Sequence, residues 1–189
     1  MTAAFSRHQP LPENVHLIPD DAECVFKGVL FDVYQWQQEM FDGSVETFEM
    51  LRRPDAVLII GIDGDEVVVI DDEQPGKPVT RDHLPGGRIE ADESVLEAAK
   101  REMREETGMQ FEDWSLLEVM QPAVKIEWFV YVYVAHGKLA DVPTQHDVGE
   151  KIVAKRVSFD SFKALHDNRL AELRDVSSIE ELFQKVNLS

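Results

Sequence analysis

At 189 residues and 43% apolar content, the chain is long enough for one domain with a substantial core and an appended subdomain, and too apolar to be disordered throughout. Its 19 basic residues against 37 acidic ones give a formal charge of -18, which argues against general binding to nucleic acid or to anionic membranes. A single cysteine, Cys24, excludes an internal disulfide and is expected as a small core or interface residue; with no apolar run of ~18 residues and no basic-then-apolar leader, a soluble cytoplasmic protein is expected.

Residues 1–22 are polar and interrupted by Pro10, Pro12 and Pro19, and are read as a flexible or surface-laid arm. From Cys24 to Glu39 the chain turns β-rich. Asp42-Gly43 marks a turn and Val45–Leu51 returns as a strand, giving an antiparallel hairpin. Trp36, Phe41 and Phe48 leave more apolar surface than a lone hairpin can hide, so this hairpin should pack on the core or on a partner subunit. A second hairpin, Ala56–Ile62 and Glu66–Ile70 about Asp63-Gly64-Asp65, has a buried character; residues 71–82 read as a loop.

The segment Leu84–Met109 has the densest local signals. Ser94 with Glu97 three residues on forms a capping box, so a helix should begin there, and Gly108 is placed to end it. On that helix Leu96, Ala99 and Met103 share a face that packs, while Glu102, Glu105 and Glu106 fall together on an adjoining arc. Like charges at i,i+4 repel, and a hard divalent cation would reverse that sign; oxygen-only ligands without nearby Cys or His favour Mg²⁺ or Mn²⁺ over zinc. Arg101, next to Glu102 and four residues before Glu105, is placed to fix a carboxylate's rotamer, and Gly86-Gly87 offer bare backbone just ahead of the helix.

Beyond it, Trp114–Met120 and Ile126–His136 read as strands, Leu139–Lys151 as an acidic loop and Ile152–Ser158 as a further strand. Two closing helices are expected at Phe159–Asp167 and Ser178–Val186, capped by Asp160 and Ser178. Helices around a mixed sheet make an α/β sandwich.

The spacing of Gly87, Glu93, Arg101-Glu102, Met103, Glu105-Glu106 and Gly108 resembles the Nudix box at every fixed position. The resemblance implies an α/β/α sandwich around a mixed sheet, here residues 54–189, behind an N-terminal antiparallel β subdomain, residues 1–53. In the ADP-ribose pyrophosphatase branch that subdomain dimerises, so a homodimer is expected. It also implies Glu102 and Glu106 as metal ligands, Glu105 as ligand or orienting group, the Gly86 carbonyl as backbone ligand, and Glu93 assisting through water. The general base in that branch sits on a late loop, where Glu150 is the first choice, Asp147 the second and Glu127 on the preceding strand a competitor. Arg52 is the substrate candidate ahead of the first core strand, with Gln74 and Lys77 in the loop that follows the second; that loop lacks the branch's arginine. Trp36 or Phe31 could stack on a base, whereas His83 and His146 are expected to be structural or exposed.

The expected function is Mg²⁺-dependent hydrolysis of the pyrophosphate bond in a nucleoside diphosphate linked to another moiety, with ADP-ribose or a nucleotide sugar preferred. Nucleoside triphosphates or dinucleoside polyphosphates are the alternative substrates, and a non-catalytic nucleotide-binding module is the alternative class.

Overall fold

The computed structural model describes residues 7–146, 148–170, 181 and 184. A small sheet is built from β1 (Glu23–Lys27), β2 (Asp32–Glu39) and β3 (Val45–Arg52), with the short β8 (Ile126–Glu127) parallel to β3. The single long strand expected from Cys24 to Glu39 is thus two strands. They part at a tight turn in which Gly28 donates to the Phe31 carbonyl at 3.1 Å and to Asp32 Oδ1 at 3.2 Å, and a Cβ at Gly28 would collide with that carbonyl. Cys24 is exposed, not buried, with its thiol turned to the Phe26 carbonyl.

The large sheet has the order β10 (Lys151–Ser158), β5 (Glu66–Glu73), β4 (Ala56–Asp63), β9 (Val130–Asp141), β7 (Met109–Met120). β4 and β9 run parallel, the others antiparallel. Residues on β4 and β5 alternate between two cores, as the two-residue strand period requires. Val57, Ile59 and Val68 pack with Ala98, Ala99 and Met103 of helix α1 (Val95–Thr107). Ile60, Ile62, Val67 and Val69 pack with Phe162 of helix α2 (Phe159–Leu170) on the opposite face. One helix on each face gives the expected α/β/α layering.

The expected hairpin of β4 and β5 pairs only at its tip, Ile62 with Val67 and Asp63 with Glu66. Beyond it the two strands splay. The free edge of β4 is taken by the glycine loop, with Val57 N–H donating to Gly87 O and Ile59 N–H to Pro85 O, both at 2.9 Å. The matching edge of β5 is taken by β6 (Thr80–His83), so residues 71–82, read as a loop, in fact continue β5 and then form a new strand.

Other boundaries differ from expectation for local reasons. Ile126–His136 is broken after Glu127, where the chain crosses from the small sheet to the large one. α2 is capped not by Asp160, which lies in its first turn, but by Ser158, whose Oγ accepts from Ser161 N–H at 3.3 Å. The expected helix Ser178–Val186 lies outside the described residues except for Glu181 and Gln184, both helical.

The N-terminal arm is laid on the surface and anchored. Ile18 is buried with Ala22 and Met50 in a third, smaller core that Tyr34 and Trp36 complete. Trp36 packs edge-on against Phe48, whereas Phe26, Phe41 and Val45 stay exposed on the small sheet.

Candidate active site

Helix α1 is defined by its ends. Ser94 Oγ accepts from Glu97 N–H at 3.3 Å, while Glu97 Oε2 accepts from Ser94 N–H at 3.0 Å, so the capping box closes. At the other end Gly108 adopts φ 71° and donates to Arg104 O, the left-handed cap that glycine accommodates best. These caps fix which residues of α1 face the splayed edge between β4 and β5.

Glu106, in the last turn, is 9% exposed, and its Oε2 accepts from Gly86 N–H at 2.8 Å. Burial is the main cause that pushes its carboxyl up to about 8, from an ordinary 4.5; the Gly86 bond opposes this, while Glu102, Glu150 and Asp72 add to it as like charges. Glu102 is also raised by burial, against the pull of Arg101, with Glu105 and Glu150 adding repulsion. The site therefore gathers carboxylates where their charge is costly.

Arg101 is the local counter-charge. Its Nε and Nη2 grip Glu93 at 2.9 Å each, Nη1 reaches Glu102 Oε1 at 2.9 Å and Glu105 Oε2 at 3.2 Å, and Nη2 also donates to Arg88 O. Hydrogen bonds to Glu93 are the largest cause that holds this guanidinium above its ordinary pKa. Glu93 is lowered in return. Arg101 thus ties α1 to the loop that precedes it.

Two glycines make room. Gly86, at φ 154°, lies so close to the Val57 carbonyl that a Cβ would overlap it, and a Cβ on Gly87 would strike the Glu102 carboxylate. The late loop closes over the other end of α1: Val142 N–H donates to Gly108 O at 2.7 Å and Gln145 N–H to Glu105 O at 3.0 Å. That loop brings Glu150 close enough to raise both Glu102 and Glu106. Gly149 packs on Pro75, so the turn that carries Gln74 and Lys77 is its neighbour; Lys77 Nζ donates to Gln74 Oε1 at 2.8 Å, and Gln74 Nε2 to Asp72 Oδ2 at 2.9 Å.

The expected residues are thus partly brought together. Gly86, Glu93, Arg101, Glu102, Glu105, Glu106 and Glu150 share one region. Asp147 lies outside the described residues, and His146 is exposed on the late loop. Glu127, weighed as a base, is 2% exposed and anchors the arm: Arg7 Nε and Nη2 bind its two oxygens at 3.0 Å each, Ile18 N–H donates at 2.7 Å, and Arg52 Nε stands 3.7 Å away. Sequence alone showed no sign of this, because the partners lie up to 120 residues apart.

Arg52 and its neighbour Arg53 both line a cleft of about 560 Å³ between the β1–β2 turn, the β3–β4 link and residues 89–92 ahead of α1. Arg53, passed over in the sequence, is the more telling residue. Its guanidinium lies 4.3 Å from the Trp128 ring centre and 5.7 Å from that of Phe31, its Nε is buried without a hydrogen-bond partner among the described residues, and burial and then Arg88 lower its pKa. Phe31 thus serves as a platform for Arg53, while Trp36 packs in the small sheet. Asp72, also missed, stands on β5 with one carboxylate oxygen buried and without a partner among the described residues.

Residues 52–176 match the NUDIX domain, and the chain belongs to the Nudix family. The methanol dehydrogenase activator of Bacillus methanolicus is 30% identical over 119 residues, covering 61% of this chain and 63% of that protein. An ADP-ribose pyrophosphatase of Bacillus subtilis (strain 168) is 33% identical over 88 residues, 46% of this chain and 47% of the relative. Among solved structures, that of an ADP compounds hydrolase superposes with a TM-score of 0.68 at 25% identity, over 88% of this chain and 92% of the other. The chain spans less than two thirds of the length of the curated relatives it matches.

Proposed function

We propose that the protein is a Nudix pyrophosphatase that hydrolyses the pyrophosphate bond of a nucleoside diphosphate carrying a second group, with ADP-ribose the first substrate to try. The observation that carries this reading is the buried Glu106 carboxylate with the half-buried Glu102 beside it, both raised mainly by burial and further by neighbouring carboxylates, next to the Gly86-Gly87 backbone. The likeness to an ADP-ribose pyrophosphatase and to an ADP compounds hydrolase supports the substrate class.

The residues suit a hard divalent cation, Mg²⁺ or Mn²⁺: every donor is oxygen, and a cation would relieve the cost of burying two carboxylates side by side. Among the described residues no three acidic, His or Cys side chains already enclose an ion position, and Glu102 and Glu105 are engaged by Arg101. Glu102, Glu106 and the Gly86 carbonyl would hold the cation, with Glu105 as ligand or orienting group. When bound, the cation supplies charge neutralisation on the diphosphate and polarisation of water.

This chain's own part is placement. Arg101 fixes the rotamers of Glu93, Glu102 and Glu105; Glu150 brings a carboxylate to take a proton from water; Gln74 and Lys77 flank that loop. Arg52 and Arg53, with Lys27, bring positive charge to a cleft whose lining also holds Asp32, Asp55, Glu90 and Asp92, and they are the groups there that a diphosphate ester would meet favourably. Residues 1–53 form the appended subdomain of a homodimer, and the cytoplasm is its compartment. Incubating the protein with Mg²⁺ and a panel of nucleotide sugars, dinucleotides and triphosphates, with product identification, tests the reading. Release of AMP and ribose 5-phosphate from ADP-ribose supports it; turnover of triphosphates alone overturns it.

A further inference from the structure

His83 was expected to be a structural or exposed histidine, and strand geometry points elsewhere. β6 pairs with β5 at Thr80 with Asp72 and at His83 with Ile70, so three steps along β6 match two along β5. One extra residue is therefore accommodated in β6, a β-bulge. It coincides with Asp82, a non-glycine residue at φ 52°, in the left-handed region.

The consequence is a change of face. Directly opposed residues in an antiparallel pair project to the same side, and β5 is regular along its other edge from Glu66 to Glu73. Val68 packs in the core of α1, so Ile70 and Asp72 project to the α1 side, and His83 with them. In unbroken register Asp82 would oppose Ile70 instead. Asp82 is held on the far side: its Oδ1 and Asp71 Oδ1 each accept from Lys155 Nζ at 2.7 Å, and its N–H donates to Asp71 Oδ1 at 3.0 Å. This ion cluster keeps the left-handed residue in place, and the bulge turns the imidazole to the α1 side of the sheet, at the head of the Leu84-Pro85-Gly86 segment.

The imidazole is poised in one tautomer. Nδ1 lies 2.9 Å from the Leu84 carbonyl, which can only accept, so Nδ1 carries the proton. Nε2 is buried and has no partner among the described residues. With the proton on Nδ1 a lone pair is left on Nε2, and Asp72, on the same face of the β5–β6 pair, likewise has a buried Oδ1 with no partner among the described residues.

We propose that His83 is a positioning residue of the hydrolytic site, whose Nε2 accepts a hydrogen bond from a water held against the bound diphosphate. This rests on the pyrophosphatase reading above. The test compares His83→Asn with His83→Gln, after thermal unfolding has shown both folded. Asparagine keeps a donor near the Nδ1 position and removes the Nε2 acceptor; glutamine places an acceptor near Nε2. His83→Asn is expected to lower kcat for ADP-ribose by roughly tenfold with little change in KM, and His83→Gln to recover most of it. A second readout is the ¹⁵N resonance of Nε2 in the wild-type protein, expected as an unprotonated nitrogen that moves upfield on adding Mg²⁺ with α,β-methylene ADP-ribose. Equal kcat in His83→Asn and wild type, equal loss in both variants, or a resonance unmoved by the analogue overturns the inference. If the wild-type protein hydrolyses nothing, the pyrophosphatase reading fails, and the nitrogen resonance alone decides the role of His83.

Discussion

The backbone N–H of Gly86 donates to the carboxylate of Glu106 at 2.8 Å, tying the glycine loop to the last turn of α1. A neutral amide can keep this bond while lacking the charge a cation needs. Glu106→Gln should therefore lower turnover of ADP-ribose by more than ~100-fold with the fold intact. Steady-state kinetics with circular dichroism checks this; unchanged turnover would remove Glu106 from the ligand set.

The same carboxyl sets a pH dependence. Its folded pKa of about 8 lies above the ordinary 4.5, so between these values the native state holds a proton that the unfolded chain releases. Without metal, the contribution of Glu106 to stability is complete below about pH 4.5 and declines as pH rises to 8, by an amount on the order of several kcal/mol. Glu102, also raised by burial, acts in the same direction. Denaturant unfolding in a chelator should show wild type losing stability relative to Glu106→Gln across this interval, and Mg²⁺ should abolish the difference.

Much of this was legible in the sequence where the causes are local. The capping box at Ser94, the glycine cap at Gly108 and the arc of glutamates between them depend on spacing within one helix, and they stand as read. What escaped depends on distant pairing. Residues 71–82 look like a loop because β6 gains its meaning only against β5. Glu127 looks like an edge charge until Arg7 and Ile18 cover it. Arg53 and Arg52 cannot be told apart in Leu-Arg-Arg-Pro, yet one lies on Trp128 and the other turns to Glu127.

Glu127 gives a prediction that separates stability from catalysis. Arg7→Ala leaves a buried carboxylate without its main partner and should cost roughly 3–5 kcal/mol, offset in part by the residual Arg52 and Ile18 contacts. Turnover at a temperature where the variant is folded should stay within a few-fold of wild type. A large loss of kcat with unchanged stability would restore Glu127 to the catalytic candidates.

Arg53 should act on binding. Arg53→Lys keeps the charge but loses the flat stack on Trp128 and the Nε–H, so KM for ADP-ribose should rise about tenfold with kcat little changed. Initial-rate measurements on both variants of the pair, Arg53→Lys and Arg52→Lys, decide which arginine meets the substrate.

On the reading proposed, the carboxylates of α1 bind a divalent cation. Titrating Mn²⁺ into the metal-free protein and following the free-ion signal by electron paramagnetic resonance measures that directly. Loss of free Mn²⁺ signal is expected with wild type, and markedly weaker loss with Glu102→Gln or Glu106→Gln. Equal Mn²⁺ binding by all three proteins, or none by the wild type even with a nucleotide analogue present, would contradict that reading.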